Sequence, residues 1–220
     1  MRADNIAFVG APGTGKSYAA RMRCEHHPRV IYFDPLDTAY GGSALRPGEK
    51  WSHLFSAGNI DGAVWLMQHG PSSFRATVQA GQLNRADRNE ALVKICEAAE
   101  GSAARFGTWT TVIVEELGLV LPRGGAGSSA AVEPVERLLR IGRHPSRRVT
   151  VYLVSQRAVD LPPTMRALCE RFEIRKQSEQ VDLDRMDQIR KGLGEQVRAL
   201  KGHEYLVYEG GIVAGPYSKI

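Results

Sequence analysis

Residues 10–17 read GAPGTGKS and match the pattern G-x-x-x-x-G-K-[ST] at every fixed position. They lie between the apolar run IAFV (6–9) and the helical stretch SYAARMRCEHH (17–27). A loop between a buried strand and a helix N-terminus can direct backbone N–H groups at phosphate oxygens. Gly13 and Gly15 permit the backbone angles and the close approach that such a loop requires. The stretch therefore predicts a phosphate-binding loop.

Two side chains at the end of this loop carry the expected chemistry. Lys16 is suited to reach the β- and γ-phosphates of a nucleoside triphosphate, and the Ser17 hydroxyl is suited to bind Mg²⁺. We therefore expect ATP and Mg²⁺ as the ligands of the loop. The residues expected to contact the nucleotide are Gly10, Ala11, Pro12, Gly13, Thr14, Gly15, Lys16, Ser17 and Tyr18.

Apolar runs elsewhere in the chain predict further strands. VIYF (30–33), TVIV (111–114) and VTVYLV (149–154) are nearly continuous in apolar character, as IAFV is. Strands that are buried on both faces of a parallel sheet have this pattern. The runs are therefore expected to pair side by side in one parallel sheet.

Helical patterns separate these runs. Apolar residues recur at spacings of three and four over 86–106 and 132–141, which is typical of amphipathic helices. A short helix over 60–68 precedes a further β-rich run, FRATVQ (74–79). The Gly-Gly step in HEYLVYEGGIVAGPY (203–217) predicts a C-terminal β-hairpin. We therefore expect an α/β fold with a mainly parallel central sheet flanked by helices.

The composition is that of one globular domain. The chain has 220 residues, of which 43% are hydrophobic and 24% are charged, so we expect a single domain over 1–220. The net charge of +5 favours a polyanionic partner without requiring one. The three cysteines form no C-x-x-C pair, and no apolar run approaches the roughly 20 residues of a membrane span. These features predict a soluble chain in a cytosol-like compartment.

The run TVIVEE (111–116) ends in two carboxylates. Next to a phosphate loop, a nucleoside triphosphatase uses one acid to hold the Mg²⁺ shell and another to polarise water. Glu115 occupies the position of the metal-associated acid, and Glu116 occupies that of the general base. Two solvated acids at a strand end are the alternative, but the complete phosphate loop favours the functional interpretation. The second acid indicates hydrolysis rather than nucleotide holding alone.

The run VTVYLV is followed by Ser155, Gln156 and Arg157. An amide at this strand end is suited to contact the γ-phosphate or the attacking water. Taken alone, Gln156 is better explained as a loop residue that caps a turn.

These features, in this order, resemble the FtsK–HerA superfamily of DNA-pumping ATPases. The similarity is greatest to the small genome-packaging ATPases of tailless viruses that contain a membrane. It rests on GAPGTGKS, on FRATVQ before a long helix, on TVIVEEL, and on IGRHPSRRVTVYLVSQRAVDLPPTMRALCERFEIRK (141–176). It covers most of the chain and implies a P-loop NTPase fold of the RecA/FtsK–HerA type.

The resemblance also implies residue roles. Lys16 and Ser17 would bind the triphosphate and Mg²⁺, Glu116 would activate water, and Gln156 would act as a polar sensor. Arg143 matches the arginine finger that reaches into a neighbouring subunit, with Arg140, Arg147 and Arg148 as competitors. The family usually has Asp where this chain has Glu115, which leaves the role of that residue toward the metal less defined than the others.

The resemblance further implies partners and location. We expect a homo-oligomer, namely a hexameric ring, that pumps double-stranded DNA into a preformed capsid without sequence preference. The loops at 41–50 and around Arg123 are candidate DNA contacts. A capsid vertex or viral membrane proteins are further expected partners. The expected location is the host-cell cytoplasm or the packaging vertex of the virion.

Other classes of protein fit parts of the pattern. A filamentous-phage assembly ATPase of the zonula-occludens-toxin type typically adds a transmembrane helix, and a cellular DNA pump usually adds accessory domains. A small P-loop kinase requires an acceptor pocket, which two adjacent acids followed by a distant glutamine do not suggest. A nucleotide-gated binding module without turnover is a fourth interpretation.

Overall fold

The structure is a computed structural model that describes residues 4–37, 53–121, 131–142, 144 and 146–218. Within these residues nine strands form one sheet in the order β3-β4-β2-β5-β6-β1-β7-β8-β9. The strands are β1 (Ile6–Val9), β2 (Arg29–Asp34), β3 (His53–Phe55), β4 (Phe74–Gln79), β5 (Thr110–Val114), β6 (Val149–Ser155), β7 (Arg171–Arg175), β8 (Tyr205–Glu209) and β9 (Ile212–Tyr217).

Helices connect and cover these strands. They are α1 (Lys16–Arg23), α2 (Ile60–His69), α3 (Arg85–Phe106), α4 (Leu117–Val120), α5 (Val132–Ile141), α6 (Pro163–Leu168), α7 (Gln180–Ile189) and α8 (Leu193–Ala199). Short 3-10 turns occur at Ala57–Asn59 and Ala158–Asp160. None of the described helices is both long enough and apolar enough to cross a membrane.

The pairing of the strands brings several loops to one edge of the sheet. β1 pairs in parallel with β6 on one side and with β7 on the other, and β6 pairs in parallel with β5. The last residue of β1, Val9, is level with Ser155 of β6. The segments that follow β1, β5 and β6 therefore leave the sheet at the same edge, where ligands bind in open α/β sheets.

The two faces of the sheet are covered unequally. α1 packs over a small apolar cluster that includes Phe8, Tyr32, Ile113 and Tyr152. The opposite face holds the larger core, to which α2, α3, α5, α7 and α8 contribute buried residues. Because both faces of the central strands are covered, those strands are buried along their whole length and are mostly apolar.

The α/β fold class predicted from the sequence is confirmed, as are the strands at the four apolar runs and at FRATVQ. The C-terminal hairpin is confirmed as β8 and β9, which pair in antiparallel fashion. The sequence did not indicate β3, a short edge strand with His53 and Leu54 exposed. It also did not indicate α7 and α8, which are rich in polar residues and are separated by Gly192 at φ 81°. The assignment of 1–220 to a single domain stays a prediction.

His27 links the turn after α1 to the sheet. Its Nδ1 lies 2.6 Å from Thr111 Oγ1, and its ring centroid lies 5.9 Å from that of Tyr152. Burial, with smaller contributions from Arg75 and His26, lowers the pKa of His27 from 6.5 to about 4. The folded protein therefore holds this imidazole neutral where the unfolded chain protonates it.

This shift predicts a loss of stability in mild acid. The folded-state pKa of His27 lies below its unfolded value, so its contribution is complete above pH 6.5 and is lost as the pH falls toward 4. One pKa unit corresponds to about 1.4 kcal/mol, so the loss is on the order of 1 to 3 kcal/mol. Urea denaturation at several pH values measures it. His27→Gln should reduce the dependence of the free energy of unfolding on pH between 6.5 and 4. The exposed control His69→Gln should leave that dependence unchanged.

Candidate active site

The phosphate loop connects β1 to α1 through residues 10–15. Gly13 and Gly15 have φ values of 74° and 88°, a left-handed region that glycine enters without steric cost. The carbonyl oxygen of Ala11 accepts hydrogen bonds from Thr14 Oγ1 at 2.7 Å and from Lys16 Nζ at 3.0 Å. These contacts fix the loop and hold the lysine ammonium across it.

The base of the loop is anchored to both neighbouring strands. The Gly10 N–H donates to the carbonyl of Ser155 at 3.3 Å, and the Ala11 N–H donates to that of Lys176 at 2.9 Å. Beneath the loop, the fully buried Arg175 donates from Nη1 to the carbonyls of Thr14 and His203, each at 3.0 Å. The loop is therefore supported from below by a guanidinium that the sequence pattern did not reveal.

Lys16 is 5% exposed and lies among charged groups. Burial lowers the pKa of its ammonium, and the charges of Glu116 and Glu115 oppose that shift. Arg175 adds to the lowering because it is a second cation nearby. An anionic phosphate in the loop would relieve this repulsion, which makes the loop electrostatically suited to a polyphosphate.

Glu115 comes directly after β5 and is 4% exposed. The Ser17 hydroxyl donates to its Oε1 and the Tyr32 hydroxyl donates to its Oε2. Burial raises the pKa of Glu115 to about 7, against the opposing effect of these two hydrogen bonds. Ser17 and Glu115 thus bring a hydroxyl and a carboxylate oxygen together beside the phosphate loop. Mg²⁺ prefers oxygen ligands of this kind, completed by phosphates and water, so the residues present fit the expected ion.

Glu116 has a left-handed backbone, with φ 44° and ψ 58°. This conformation costs a non-glycine residue roughly 1 to 3 kcal/mol and persists where the surroundings hold it. Gln156 Nε2 donates to Glu116 Oε1 at 2.5 Å. Burial raises the pKa of Glu116, and the Gln156 hydrogen bond and Lys16 oppose that shift. The two residues predicted to act as base and sensor are therefore in direct contact.

The segment that carries Gln156 is tied to later elements of the chain. Its backbone carbonyl accepts a hydrogen bond from Gln177 Nε2 at 2.9 Å. The next residue, Arg157, forms an ion pair from Nε to Oδ2 of the buried Asp182 of α7 at 3.2 Å. The position of the Gln156 amide thus depends on the segments that follow β7.

These groups surround an open cleft of about 350 Å³. Its lining residues are Pro12, Gly13, Gly15, Lys16, Ser17, Tyr18, Leu36, Glu115, Glu116 and Gln156. Of the other residues predicted to contact a nucleotide, Gly10, Ala11 and Thr14 build the loop itself. Leu36, which follows β2, was not predicted as part of the site.

Arg143 lies outside the described residues, as do the candidate DNA-binding loops at 41–50 and around Arg123. The neighbours of Arg143 are described. Gly142 ends α5, and its carbonyl accepts a hydrogen bond from the N–H of Val149, the first residue of β6. This is the edge of the sheet opposite the cleft, because Gln156 follows the other end of β6.

No family model and no curated protein matches the sequence. The genome packaging NTPase B204 from Sulfolobus turreted icosahedral virus 2, in complex with AMP, superimposes with a TM-score of 0.70 at 18% identity over 100% of both chains. B204, the DNA-packaging ATPase from Sulfolobus turreted icosahedral virus, superimposes with a TM-score of 0.71 at 16% identity over 97% of both chains.

The bacterial conjugative coupling protein TrwBdeltaN70 has a TM-score of 0.59 at 10% identity, with 95% of this chain and 83% of that chain covered. At these identities the likeness establishes the fold. The chain has the P-loop NTPase fold that these proteins share, as the sequence predicted.

The close packing at Gly10 gives a test of the loop. A Cβ at this position would lie 2.6 Å from the Cβ of Arg175, so Gly10→Ala must displace the loop or β7. We expect a loss of about 1 to 3 kcal/mol in the free energy of unfolding and weaker nucleotide binding. Gly101→Ala in α3 is the matched control, because nothing lies within 4 Å of its added Cβ. That substitution should stabilise the protein by roughly 0.5 to 1 kcal/mol. Equal stabilities of the two variants would contradict the packing argument.

Proposed function

We propose that this protein is an ATP-hydrolysing motor that moves double-stranded DNA during packaging of a viral genome. The observation that carries the proposal is the convergence of Lys16, Ser17, Glu115, Glu116 and Gln156 on one cleft. The fold shared with two viral genome-packaging ATPases supports the link to DNA.

The cleft is suited to hold a nucleoside triphosphate. The backbone N–H groups of the phosphate loop and the N-terminus of α1 attract the phosphates, and Lys16 adds a positive charge. Ser17 and Glu115 would hold Mg²⁺, which when bound neutralises the charge on the β- and γ-phosphates. ATP is the expected nucleotide, and ATPγS and AMPPCP bind the B204 protein of similar fold.

Hydrolysis requires a base next to the γ-phosphate. A water attacks the γ-phosphorus, the bond to the bridging oxygen breaks, and Glu116 accepts the proton of the water as ADP and phosphate form. The raised pKa of Glu116 makes it a stronger base than a solvated glutamate. Gln156 orients this carboxylate through their hydrogen bond. It lines the same cleft as the phosphate loop, where it would respond to the γ-phosphate. The pair favours water as the acceptor over the hydroxyl of a kinase substrate.

The proposed arginine finger acts between subunits. β6 has seven residues, so at about 3.3 Å per residue its two ends are about 20 Å apart. The segment around Gly142 and His144 is at the amino end of β6, whereas the cleft is at the carboxyl end. A finger from this segment would therefore serve the cleft of a neighbouring copy. We propose a closed ring, namely a hexamer, in which Arg143 supplies this charge in trans.

The proposed substrate is the phosphate backbone of double-stranded DNA. The net charge of +5 agrees with contacts of this kind, which are independent of sequence and weaken with salt. The loops at 41–50 and around Arg123 are the proposed contacts. We further propose a capsid vertex or viral membrane proteins as partners, in the host-cell cytoplasm or on the virion. A cellular DNA pump is the second candidate, because the conjugative coupling protein shares the fold.

Removal of the proposed base should separate binding from turnover. Glu116→Gln should bind ATP in calorimetric titrations and lower the rate of phosphate release by about 100-fold or more. Lys16→Ala should lose ATP binding. Glu97→Gln, at an exposed position of α3, is the matched control and should retain wild-type turnover. Undiminished hydrolysis by Glu116→Gln would remove this residue as the base.

The motor hypothesis predicts cooperation between subunits. Arg143→Ala and Lys16→Ala should each be inactive alone, and a mixture of the two should regain part of the activity. Double-stranded DNA should stimulate the wild-type rate, and this stimulation should fall with salt. Light scattering with nucleotide present should give the mass of a ring. Normal hydrolysis by Arg143→Ala in an assembled ring would contradict the finger, and a monomer that phosphorylates a small acceptor would contradict the motor.

A further inference from the structure

Tyr32 brings a polar hydroxyl into the small apolar cluster under α1. It lies in β2, level with Ile113 of the neighbouring β5, and is fully buried. Because side chains alternate along a strand, Tyr32 and Ile113 point to the same face as the residue two places after Ile113. That residue is Glu115, and the Tyr32 hydroxyl donates to its Oε2.

The carboxylate of Glu115 is held from two sides. Ser17, at the start of α1, donates to Oε1, and Tyr32 donates to Oε2. Ser17 lines the nucleotide cleft, whereas the ring of Tyr32 lies among Phe8 and Val154 in the interior. The contact with Ser17 therefore lies on the side of the cleft, and the contact with Tyr32 lies on the side of the protein interior.

We propose that Tyr32 is a positioning residue for the metal-holding carboxylate of Glu115, an inference that rests on the proposed function. Its hydroxyl fixes Oε2, which leaves Oε1 directed at Ser17 and the phosphate loop. Glutamate has one more rotatable bond than aspartate, so its carboxylate loses more conformational freedom when it is fixed. Hydrogen bonds to the outer oxygen of a ligating carboxylate orient it toward the ion.

The length of Glu115 is part of this arrangement. Ser17 lies on α1 and Tyr32 lies on β2, and one carboxylate bridges them. An aspartate at this position is shorter by one methylene and cannot keep both contacts without movement of the backbone. The effect of Tyr32 on the metal should therefore exist only when Glu115 is present.

The test measures nucleotide affinity as a function of Mg²⁺ concentration in the 220-residue chain. Titration with a fluorescent ATP analogue, in EDTA and at rising Mg²⁺, separates metal-free binding from metal-dependent binding. Tyr32→Phe keeps the ring and removes only the hydroxyl. We expect it to require about 10-fold more Mg²⁺ for half-maximal tightening of binding. Its affinity in EDTA should stay within about twofold of wild type, because the phosphate loop is unchanged.

Two further variants make the result specific. Tyr152→Phe removes a hydroxyl from the same apolar cluster and should keep the wild-type Mg²⁺ requirement. Glu115→Asp should raise the requirement by itself, and Tyr32→Phe added to Glu115→Asp should cause no further change. Effects of Tyr32→Phe and Glu115→Asp that multiply would show independent action and overturn the inference.

The outcomes separate this inference from the proposed function. A wild-type protein that binds no nucleotide with Mg²⁺ would overturn both. A wild-type protein that binds and hydrolyses ATP, with Tyr32→Phe at the wild-type Mg²⁺ requirement, would overturn only the role of Tyr32. If Tyr32→Phe does not fold, Glu115→Asp decides alone, because a wild-type requirement in that variant contradicts the need for the bridge.

Discussion

The parallel pairing of β1 with β6 and β7 is the constraint on which the site depends. It holds the phosphate loop between the two strands, through hydrogen bonds from Gly10 to Ser155 and from Ala11 to Lys176. It also brings the segments after β5 and β6 to the same edge of the sheet. Lys16, Glu116 and Gln156 line one cleft because the strands that precede them are in register. A slip of one residue would turn the side chains of the slipped strand to the other face.

Charge is concentrated in a poorly solvated region around this edge. Lys16 and Glu115 are almost completely buried, and Arg175 is fully buried beneath the loop. Burial raises the pKa values of Glu115 and Glu116 and lowers that of Lys16, because it disfavours the charged form of each group. Hydrogen bonds and opposite charges nearby partly offset this effect. Perturbed groups clustered in a cleft are typical of functional sites. The left-handed backbone of Glu116 is a second form of strain at the same place.

Several features were predictable because they depend on local patterns. The phosphate loop, the buried strands at the four apolar runs and the C-terminal hairpin follow from spacing and residue type. The contribution of Tyr32 was not predictable, because in VIYF it is one apolar strand residue among others. Arg175 was not predictable either, because nothing in FEIRK marks its arginine as buried beneath the loop. β3 is too short and too exposed to give a strand pattern.

By itself, the sequence determined the chemistry that is available: a phosphate loop, a hydroxyl at the end of that loop, two acids after one strand and an amide after another. Only the tertiary structure decided which of these groups touch. It joined Ser17 to Glu115, Tyr32 to Glu115 and Gln156 to Glu116, across separations of 98, 83 and 40 residues respectively. The physical reason is that strand order and register follow from how whole helices and strands bury their apolar faces. No short stretch of sequence contains that information.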